Sequence, residues 1–338
     1  MKAEPAPASW SVDPAEAEAA HDQLRRASRV LMPTHQNVDP DGLASPMAMM
    51  HGLAQFGIEA IPVVTDREFP ASLNFLPGVD RVLQYGVDPL PEYDVVCMID
   101  CADRRRLGKF SEDELPRIEG SIPIVNIDHH VTNDRFGTVN VVIPESASAA
   151  EIVADLLRMW GCELTIEVAE CLLTGIYGDT LGLRTDATTA KTMRIAADLV
   201  DAGANPADIT DQLFRFKPLS TVCLWEHALG AVAWSGKLIW TQVNNPILDR
   251  CKAKPSEAEG IVNFLSGTMG SWAAAMLYET DDGWRVSMRS LRDDVDVAAI
   301  AAAFGGGGHP RAAGCQLPPG DEARDAFLET VASMIAAR

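Results

Sequence analysis

The stretch Ile122-Pro123-Ile124-Val125-Asn126-Ile127-Asp128-His129-His130 places three potential metal ligands directly after an apolar run. A short apolar run of this kind is typical of a buried β-strand. Imidazole and carboxylate groups at the end of such a strand suggest a metal site, because both bind divalent ions. Taken alone, the cluster is equally compatible with a loop that holds a hydrogen-bonded histidine pair.

Three further segments place acidic or imidazole side chains where an apolar or helical stretch ends. These side chains are His35, Asp39 and Asp41 after residues 30–32, Asp100 after residues 95–99, and Asp179 after the helical stretch 169–177. Any one of the acids could simply form a turn or cap a helix. Because the carboxyl ends of parallel strands meet at one edge of a sheet, the four segments together predict a metal centre.

The composition is that of a soluble globular protein. The chain has 338 residues, of which 47% are hydrophobic and 22% charged, so it is long enough for two domains with cores of their own. No apolar run is long enough to span a bilayer, and residues 1–9 lack the hydrophobic core of a signal peptide. We therefore expect a cytoplasmic protein without a membrane partner.

The formal net charge of −20 disfavours binding to long nucleic acid, which depends on clustered Lys and Arg. We therefore expect no long duplex partner and local capture of any anionic substrate. Arg104 to Arg106 form a basic patch that could help attract anions, although a solvated loop explains them equally well.

The seven cysteines are scattered, odd in number and free of C-x-x-C pairs. This pattern predicts neither a disulfide framework nor a structural zinc site. We expect all seven to be reduced core residues. They are Cys97, Cys101, Cys162, Cys171, Cys223, Cys251 and Cys315.

The apolar pattern divides the chain into an α/β half and a smaller second domain. A first helix should begin at Asp13-Pro14 and run to about Ser28. Near-continuous apolar runs then alternate with helical patterns, which predicts a parallel sheet covered on both faces. The strands are expected at 30–32, 60–64, 95–99, 122–127, 237–243, 271–279 and 284–290, and the helices at 43–56, 149–160, 166–177 and 189–202.

A glycine run, Gly305-Gly306-Gly307-Gly308-His309, follows the helix 297–304 that Asp296 should cap. Bare backbone N–H groups can hold an anion, and missing side chains allow a close approach. The alternative is a flexible linker. Arg289 and Arg292 lie just upstream, which favours a ligand cradle over a linker.

The motifs in this order resemble the DHH phosphoesterase superfamily with its DHH-associated C-terminal domain. The match is best to the bacterial nano-RNase group of oligoribonucleases, pAp phosphatases and cyclic-dinucleotide phosphodiesterases. The resemblance implies an α/β fold with a parallel-sheet DHH domain and flanking helices, a helical connector and a smaller α/β C-terminal domain. The expected divisions are an N-terminal extension with the first helix (1–28), the DHH domain (29–203), the connector (204–220) and the substrate-binding domain (221–338).

The resemblance also implies the roles of the site residues. One Mn²⁺ would be held by His35, Asp39 and Asp100, and a second by Asp41, Asp100, His129 and Asp179, with Mg²⁺ or Co²⁺ as substitutes. His130 would contact a phosphate oxygen or assist the leaving group, and Asp128 would orient its loop. The substrate would be held by Arg289, Ser290, Arg292, Gly306, Gly307, Gly308 and His309.

The function implied is Mn-dependent hydrolysis of short oligoribonucleotides and linear dinucleotides such as pGpG and pApA to 5′-mononucleotides. pAp and cyclic di-AMP are further expected substrates, and the family is often dimeric. The alternatives are an inorganic pyrophosphatase or exopolyphosphatase of the family II type, a nuclease acting on long single strands, and a non-catalytic nucleotide sensor.

Overall fold

The computed structural model describes residues 12–66, 69, 71–258, 260–280 and 282–336. The chain forms two compact units, of which the first ends at Phe216 and the second begins at Lys217. This division falls within the expected connector, 204–220. The expected extension before residue 12 lies outside the described residues.

The first unit is built on a six-stranded sheet in the order β3-β2-β1-β4-β5-β6, and every neighbouring pair is parallel. Its strands are β1 (Arg29–Pro33), β2 (Glu59–Val64), β3 (Leu83–Gln84), β4 (Val95–Ile99), β5 (Ile124–Asp128) and β6 (Val139–Val142). Its helices are α1 (Pro14–Arg25), α2 (Pro40–Ala54), α3 (Lys109–Asp113), α4 (Leu115–Ile118), α5 (Ala149–Met159), α6 (Ile166–Thr180), α7 (Ala190–Asp201) and α8 (Pro206–Thr210). The short strands β3 and β6 were not predicted from the sequence.

The central strands are apolar throughout because both faces of the sheet are covered. In β1, Val30 and Met32 belong to a core formed with α1, α2, α5 and α6, whereas Leu31 points into a second core with α3 and α4. In β4, Cys97 and Met98 divide between the same two cores. This alternation confirms the predicted parallel α/β sheet.

Side-chain caps fix where the helices begin. Asp13 caps α1 with Pro14 in its first turn, as the sequence predicts, and Asp39 caps α2. α1 ends at Arg25, three residues before the expected end at Ser28. The cap at Asp39 matters for function, because it fixes a predicted metal ligand at the start of a helix.

The second unit carries a mixed six-stranded sheet in the order β11-β12-β10-β9-β8-β7, with β8 and β9 parallel and the other pairs antiparallel. The strands are β7 (Ala233–Ser235), β8 (Leu238–Val243), β9 (Ala273–Thr280), β10 (Gly283–Arg289), β11 (Gly307–His309) and β12 (Ala312–Leu317). The helices are α9 (Leu219–Gly230), α10 (Asn245–Cys251), α11 (Ile261–Ser266), α12 (Val297–Ala302) and α13 (Asp321–Ala336). Helices α12 and α13 cover one face, and α9 to α11 cover part of the other.

The prediction of seven reduced core cysteines is wrong for two of them. Cys223 in α9 and Cys251 in α10 form a disulfide, with Cα atoms 5.6 Å apart and a sequence separation of 28. The other five are free and buried, as expected. Spacing alone could not reveal the pair, because only the packing of α10 against α9 brings the two cysteines together. Among the described residues, no helix is both long and apolar enough to cross a membrane.

Candidate metal centre

Neighbouring strands of the parallel sheet deliver the predicted ligands to one edge. His35 follows β1, Asp100 follows β4 and Asp128 ends β5, and these three strands are adjacent in the sheet. Asp100 has a left-handed backbone with φ of 59° and is almost completely buried. A non-glycine residue in this conformation is uncommon and occurs often at functional sites.

The first ligand group contains His35, Asp39 and Asp100, whose ligand atoms lie within 4.8 Å of one another. Nε2 of His35 lies 3.5 Å from Oδ2 of Asp100 and 3.7 Å from Oδ1 of Asp39. Nε2 of His35 and Oδ1 of Asp100 are buried without a hydrogen-bond partner. Buried polar atoms are rarely left unpaired, so these two atoms fit a bound cation.

The second ligand group contains Asp41, His129 and Asp179, again within 4.8 Å of one another. Nε2 of His129 lies 3.1 Å from Oδ2 of Asp179 and 3.3 Å from Oδ1 of Asp100. Asp100 therefore contacts a histidine of each group. This is the arrangement in which one carboxylate can serve two ions.

Both histidines are oriented in the way metal ligands usually are. Nδ1 of His35 lies 2.9 Å from the carbonyl of Gln36, and Nδ1 of His129 lies 3.3 Å from that of Ser146. Donation from Nδ1 fixes the tautomer and leaves Nε2 as the free ligand atom.

The structure corrects the expected position of Asp179. The sequence suggested that this residue follows a helix, but it lies in the last turn of α6, which continues to Thr180. The helix ends at Leu181, whose backbone is left-handed with φ of 51° and whose N–H donates to the carbonyls of Tyr177 and Gly178. The side chain of Asp179 thus reaches the centre from a helix and not from a loop.

Asp128 and His130 form a pair beside the second group. Oδ1 of Asp128 lies 2.8 Å from Nδ1 of His130 and accepts a hydrogen bond of 2.8 Å from the backbone N–H of His129. The amide of Asn133 donates to Oδ2 at 2.6 Å. Asp128 is fully buried, whereas 36% of the His130 side chain is exposed. The buried acid therefore orients an accessible imidazole.

The pKa shifts reveal a surplus of negative charge. Burial lowers the pKa of His129, but the carboxylates of Asp100 and Asp179 outweigh it and raise this pKa to about 12. The pKa of His35 rises to about 10, because Asp100 and Asp39 outweigh the effect of burial. Burial and the neighbouring Asp179 raise the pKa of Asp41 well above its usual value. Such a site favours cations, whether protons or metal ions.

Two glycines allow the ligands to approach. A Cβ atom on Gly42 would lie 2.6 Å from Nε2 of His35, and one on Gly175 would lie 2.6 Å from Oδ1 of Asp41. Both distances are shorter than real Cβ contacts, so neither position accepts a side chain without movement.

Arg106 also lies at the centre, which the sequence analysis missed. Arg104 and Arg105 form ion pairs with nearby carboxylates, whereas Nη2 of Arg106 lies 3.4 Å from Nδ1 of His35. Arg106 is therefore the one of the three arginines that lies beside a predicted metal ligand, and attraction of anions by this segment stays a prediction. No pattern in the sequence distinguishes that arginine from its neighbours.

The predicted substrate residues belong to the second unit. Arg289 at the end of β10 donates to Oδ1 of Asn263 at 2.8 Å. Arg292 pairs with Asp294 and lies over the ring of Trp272, 4.4 Å from its centroid. Ser290 is buried and its hydroxyl donates to the carbonyl of Trp272 at 3.1 Å, so it shapes the loop between the two arginines.

The glycine run is an edge strand and not a flexible linker. Gly307 to His309 form β11, which pairs with β12 at the end of the sheet. A Cβ atom on Gly306 would lie 2.2 Å from the carbonyl oxygen of Gly314, and Gly308 has φ of 145°. Gly306 and Gly308 are therefore required by the close approach of the two strands, whereas a Cβ atom on Gly307 would meet nothing within 4 Å. His309 is exposed beside them.

A groove with a volume of about 490 Å³ lies on the open face of β10, β11 and β12. Arg285, Ser287 and Arg289 alternate along β10 and line it together with Gly307 and Gln316. Arg285 was missed in the sequence analysis, although the period-two pattern of the predicted strand places it on the same face as Arg289.

The comparisons with known proteins agree with this architecture. Residues 29–176 match the DHH family, N-terminal domain, and residues 241–337 match the DHHA1 domain. The bifunctional oligoribonuclease and PAP phosphatase NrnA of Thermus thermophilus is 33% identical over 304 residues, which cover 89% of each chain.

Two solved structures show the same fold. An exopolyphosphatase-related protein from Bacteroides fragilis has a TM-score of 0.88 at 22% identity, covering 96% of this chain and 98% of that one. RecJ of Thermus thermophilus in complex with Mn²⁺ has a TM-score of 0.56 at 15% identity, covering 98% of this chain and 55% of that one. The domain matches and the relative at 33% identity show that the chain belongs to the DHH family of phosphoesterases, with a DHHA1 domain after the DHH domain, and is a hydrolase of phosphoester bonds.

Proposed function

We propose that this protein uses divalent metal ions to hydrolyse short oligoribonucleotides and linear dinucleotides such as pGpG and pApA to 5′-mononucleotides. The observation that carries the proposal is the pair of ligand groups linked by Asp100. The similarity to the oligoribonuclease and PAP phosphatase of Thermus thermophilus supports the substrate class. The proposal extends to pAp, and to cyclic di-AMP as a further substrate.

The donor set suits two Mn²⁺ ions. His35, Asp39 and Asp100 would hold one ion, and Asp41, Asp100, His129 and Asp179 the other. Carboxylate and imidazole ligands without a thiolate suit Mn²⁺, with Mg²⁺ and Co²⁺ as substitutes. When bound, the ions would supply Lewis-acid activation of water and of the scissile phosphate.

His130 is the proposed proton donor and phosphate contact. Its Nδ1 faces Asp128 at 2.8 Å, which leaves Nε2 to donate to a phosphate oxygen or to the leaving group. The hydrogen bond that His130 donates to Asp128 raises the pKa of the imidazole, which favours its protonated form. Asp128 acts through this contact and through its bonds to the loop, and is therefore a positioning residue.

The open face of the second unit is the proposed binding surface for the nucleotide. Arg285 and Arg289 offer charge to phosphate groups, while Gly307 leaves the backbone of an edge strand accessible. Arg292 and His309 lie close in sequence to Arg289 and Gly307, which line this surface, and would add a stacking or hydrogen-bonding contact. The net charge of −20 is in keeping with a short nucleotide ligand and disfavours long nucleic acid. Homodimerisation and a cytoplasmic location stay predictions from the sequence.

A rate comparison under Mn²⁺ tests the proposal. The substrates are pGpG, pAp, cyclic di-AMP, a five-nucleotide RNA and pyrophosphate, each measured with and without EDTA. We expect pGpG or the short RNA to be cleaved fastest, and EDTA or Asp100→Ala to abolish turnover. Asp201→Ala, which changes an exposed aspartate outside the ligand groups, is the matched control. Pyrophosphate as the best substrate, or binding of dinucleotides without turnover, would contradict the proposal.

A further inference from the structure

A second group of metal-binding side chains lies in the second unit, outside the DHH centre. The ligand atoms of Cys223, His227 and Cys251 lie within 4.8 Å of one another. Cys223 and His227 belong to α9 and Cys251 to α10, and the two cysteines are joined by the disulfide. None of these residues has a role in the proposed hydrolysis.

The two helices hold the three side chains in place. Cys223 and His227 are four residues apart in α9, so they share one face of the helix. Leu224 and Ala228, the next residues along the chain, are buried with Leu248 in one core that joins α9 to α10. The ligand atoms are therefore positioned by packed helices and not by a loop.

His227 is oriented as a ligand. Its Nδ1 lies 3.0 Å from the carbonyl of Cys223, so donation to that carbonyl leaves Nε2 for a metal. The side chains of Cys223 and His227 are partly exposed, so an ion or a thiol reagent can reach them. This combination of two cysteines and one oriented histidine is a set of zinc ligands.

We propose that Cys223, His227 and Cys251 form a site for a thiophilic ion such as Zn²⁺, which is available only when the disulfide is reduced. A dithiol reductant transfers two electrons and two protons to the disulfide, giving two thiols and oxidised reductant. Zn²⁺ then binds both sulfurs and Nε2 of His227, and the two thiol protons are released. Three protein ligands leave a fourth position for water. Oxidation of the two thiols, for example by a disulfide reagent, forms the disulfide again and releases the ion.

The site differs from the DHH centre in the ions it should prefer. The DHH centre offers only oxygen and nitrogen ligands, whereas two thiolates select softer ions. The five remaining cysteines of the chain are free and buried, and none of them belongs to a group of three possible ligands among the described residues.

Co²⁺ is the probe for the test, because a thiolate bound to Co²⁺ gives a charge-transfer absorption that oxygen and nitrogen ligands do not give. Metal-free full-length protein is titrated with Co²⁺ after reduction and desalting, and in parallel after oxidation with diamide. We expect the thiolate absorption only in the reduced protein, and its loss on addition of one equivalent of Zn²⁺. Cys223→Ser and Cys251→Ser should each remove it, and His227→Ala should weaken Co²⁺ binding by about tenfold or more.

Two controls separate this site from the rest of the protein. Cys315→Ser removes a free cysteine of the same unit, and Asp100→Ala removes a ligand of the DHH centre. Both should keep the absorption. The oxidised wild-type protein lacks the two thiols without carrying any mutation. Loss of the absorption on oxidation therefore cannot be due to misfolding of a variant. Absence of the absorption in the reduced wild-type protein, or its survival in Cys223→Ser, would overturn the proposal.

Discussion

The replacement Gly42→Ala tests whether close packing against His35 sets the metal affinity. A Cβ atom at this position would lie 2.6 Å from Nε2 of His35, and relief to 3.4 Å requires a shift of about 0.8 Å. Metal–ligand distances tolerate about 0.2 Å, so a shift of this size exceeds what the ligand geometry allows. We expect the affinity for Mn²⁺ to fall by about 10- to 100-fold, or about 1.4–2.7 kcal/mol.

Helix propensity predicts that the same replacement stabilises the metal-free protein, so metal affinity and stability should change in opposite directions. Gly42 lies inside α2, where alanine alone would stabilise the helix by up to about 1 kcal/mol. The matched control is Gly230→Ala in α9, where an added Cβ atom meets nothing within 4 Å. Isothermal titration with Mn²⁺ measures the affinity, and thermal unfolding in EDTA measures the metal-free stability. If Gly42→Ala bound Mn²⁺ within twofold of the wild-type protein while Gly230→Ala did the same, the packing argument would be refuted.

Three further predictions concern the hydrolytic site and the core. Asp128→Asn should lower kcat by about 10²- to 10⁴-fold. Because the carboxylate of Asp128 raises the pKa of His130, its removal should lower that pKa. The imidazole would then lose its proton at a lower pH, so the alkaline limb of the pH–rate profile should move to lower pH. An unmoved alkaline limb would show that His130 is not the titrating acid. Arg106→Ala should lower kcat/KM by about tenfold or more, since a positive charge beside His35 that would attract an anionic substrate is lost. Arg105→Ala, which changes an 88% exposed side chain, should stay within twofold. Equal effects in steady-state assays would contradict this. Lys191→Met leaves two buried carboxylates of α5 without their ammonium partner and should reduce the free energy of unfolding by roughly 3 kcal/mol, measured by urea denaturation; a loss below about 1 kcal/mol would argue against the buried ion pairs.

The sequence predicted best those features that depend on local patterns. Asp128, His129 and Asp100 were predictable because each lies at the end of an apolar strand, and parallel strands end at a common edge. The place of Asp179 inside α6 was not predicted, since the helix ends at Leu181, a non-glycine residue whose left-handed backbone has no signature in the sequence.

Features that depend on packing between distant segments stayed hidden. The glycine run was expected as a cradle or a linker, and its pairing as an edge strand needs β12 beside it. The disulfide needs α9 against α10, and the position of Arg106 needs the loop after β4 beside His35. None of these contacts has a signature in the spacing of residues along the chain.

The fold holds the carboxylate of Asp41 in place through three hydrogen bonds. Oδ1 of Asp41 accepts hydrogen bonds from Oγ of Ser45 at 2.7 Å and from the backbone N–H of Ala150 at 3.0 Å. Oδ2 accepts one from the backbone N–H of Ala149 at 2.6 Å. Since a carboxylate offers about four lone-pair positions, these three bonds leave about one, on Oδ2, for a metal. The N-terminus of α5 also favours negative charge there, which opposes the rise in the pKa of Asp41 that burial causes. The same N–H groups would otherwise lack partners at the start of a buried helix, so removal of Asp41 should weaken both the metal site and the attachment of α5.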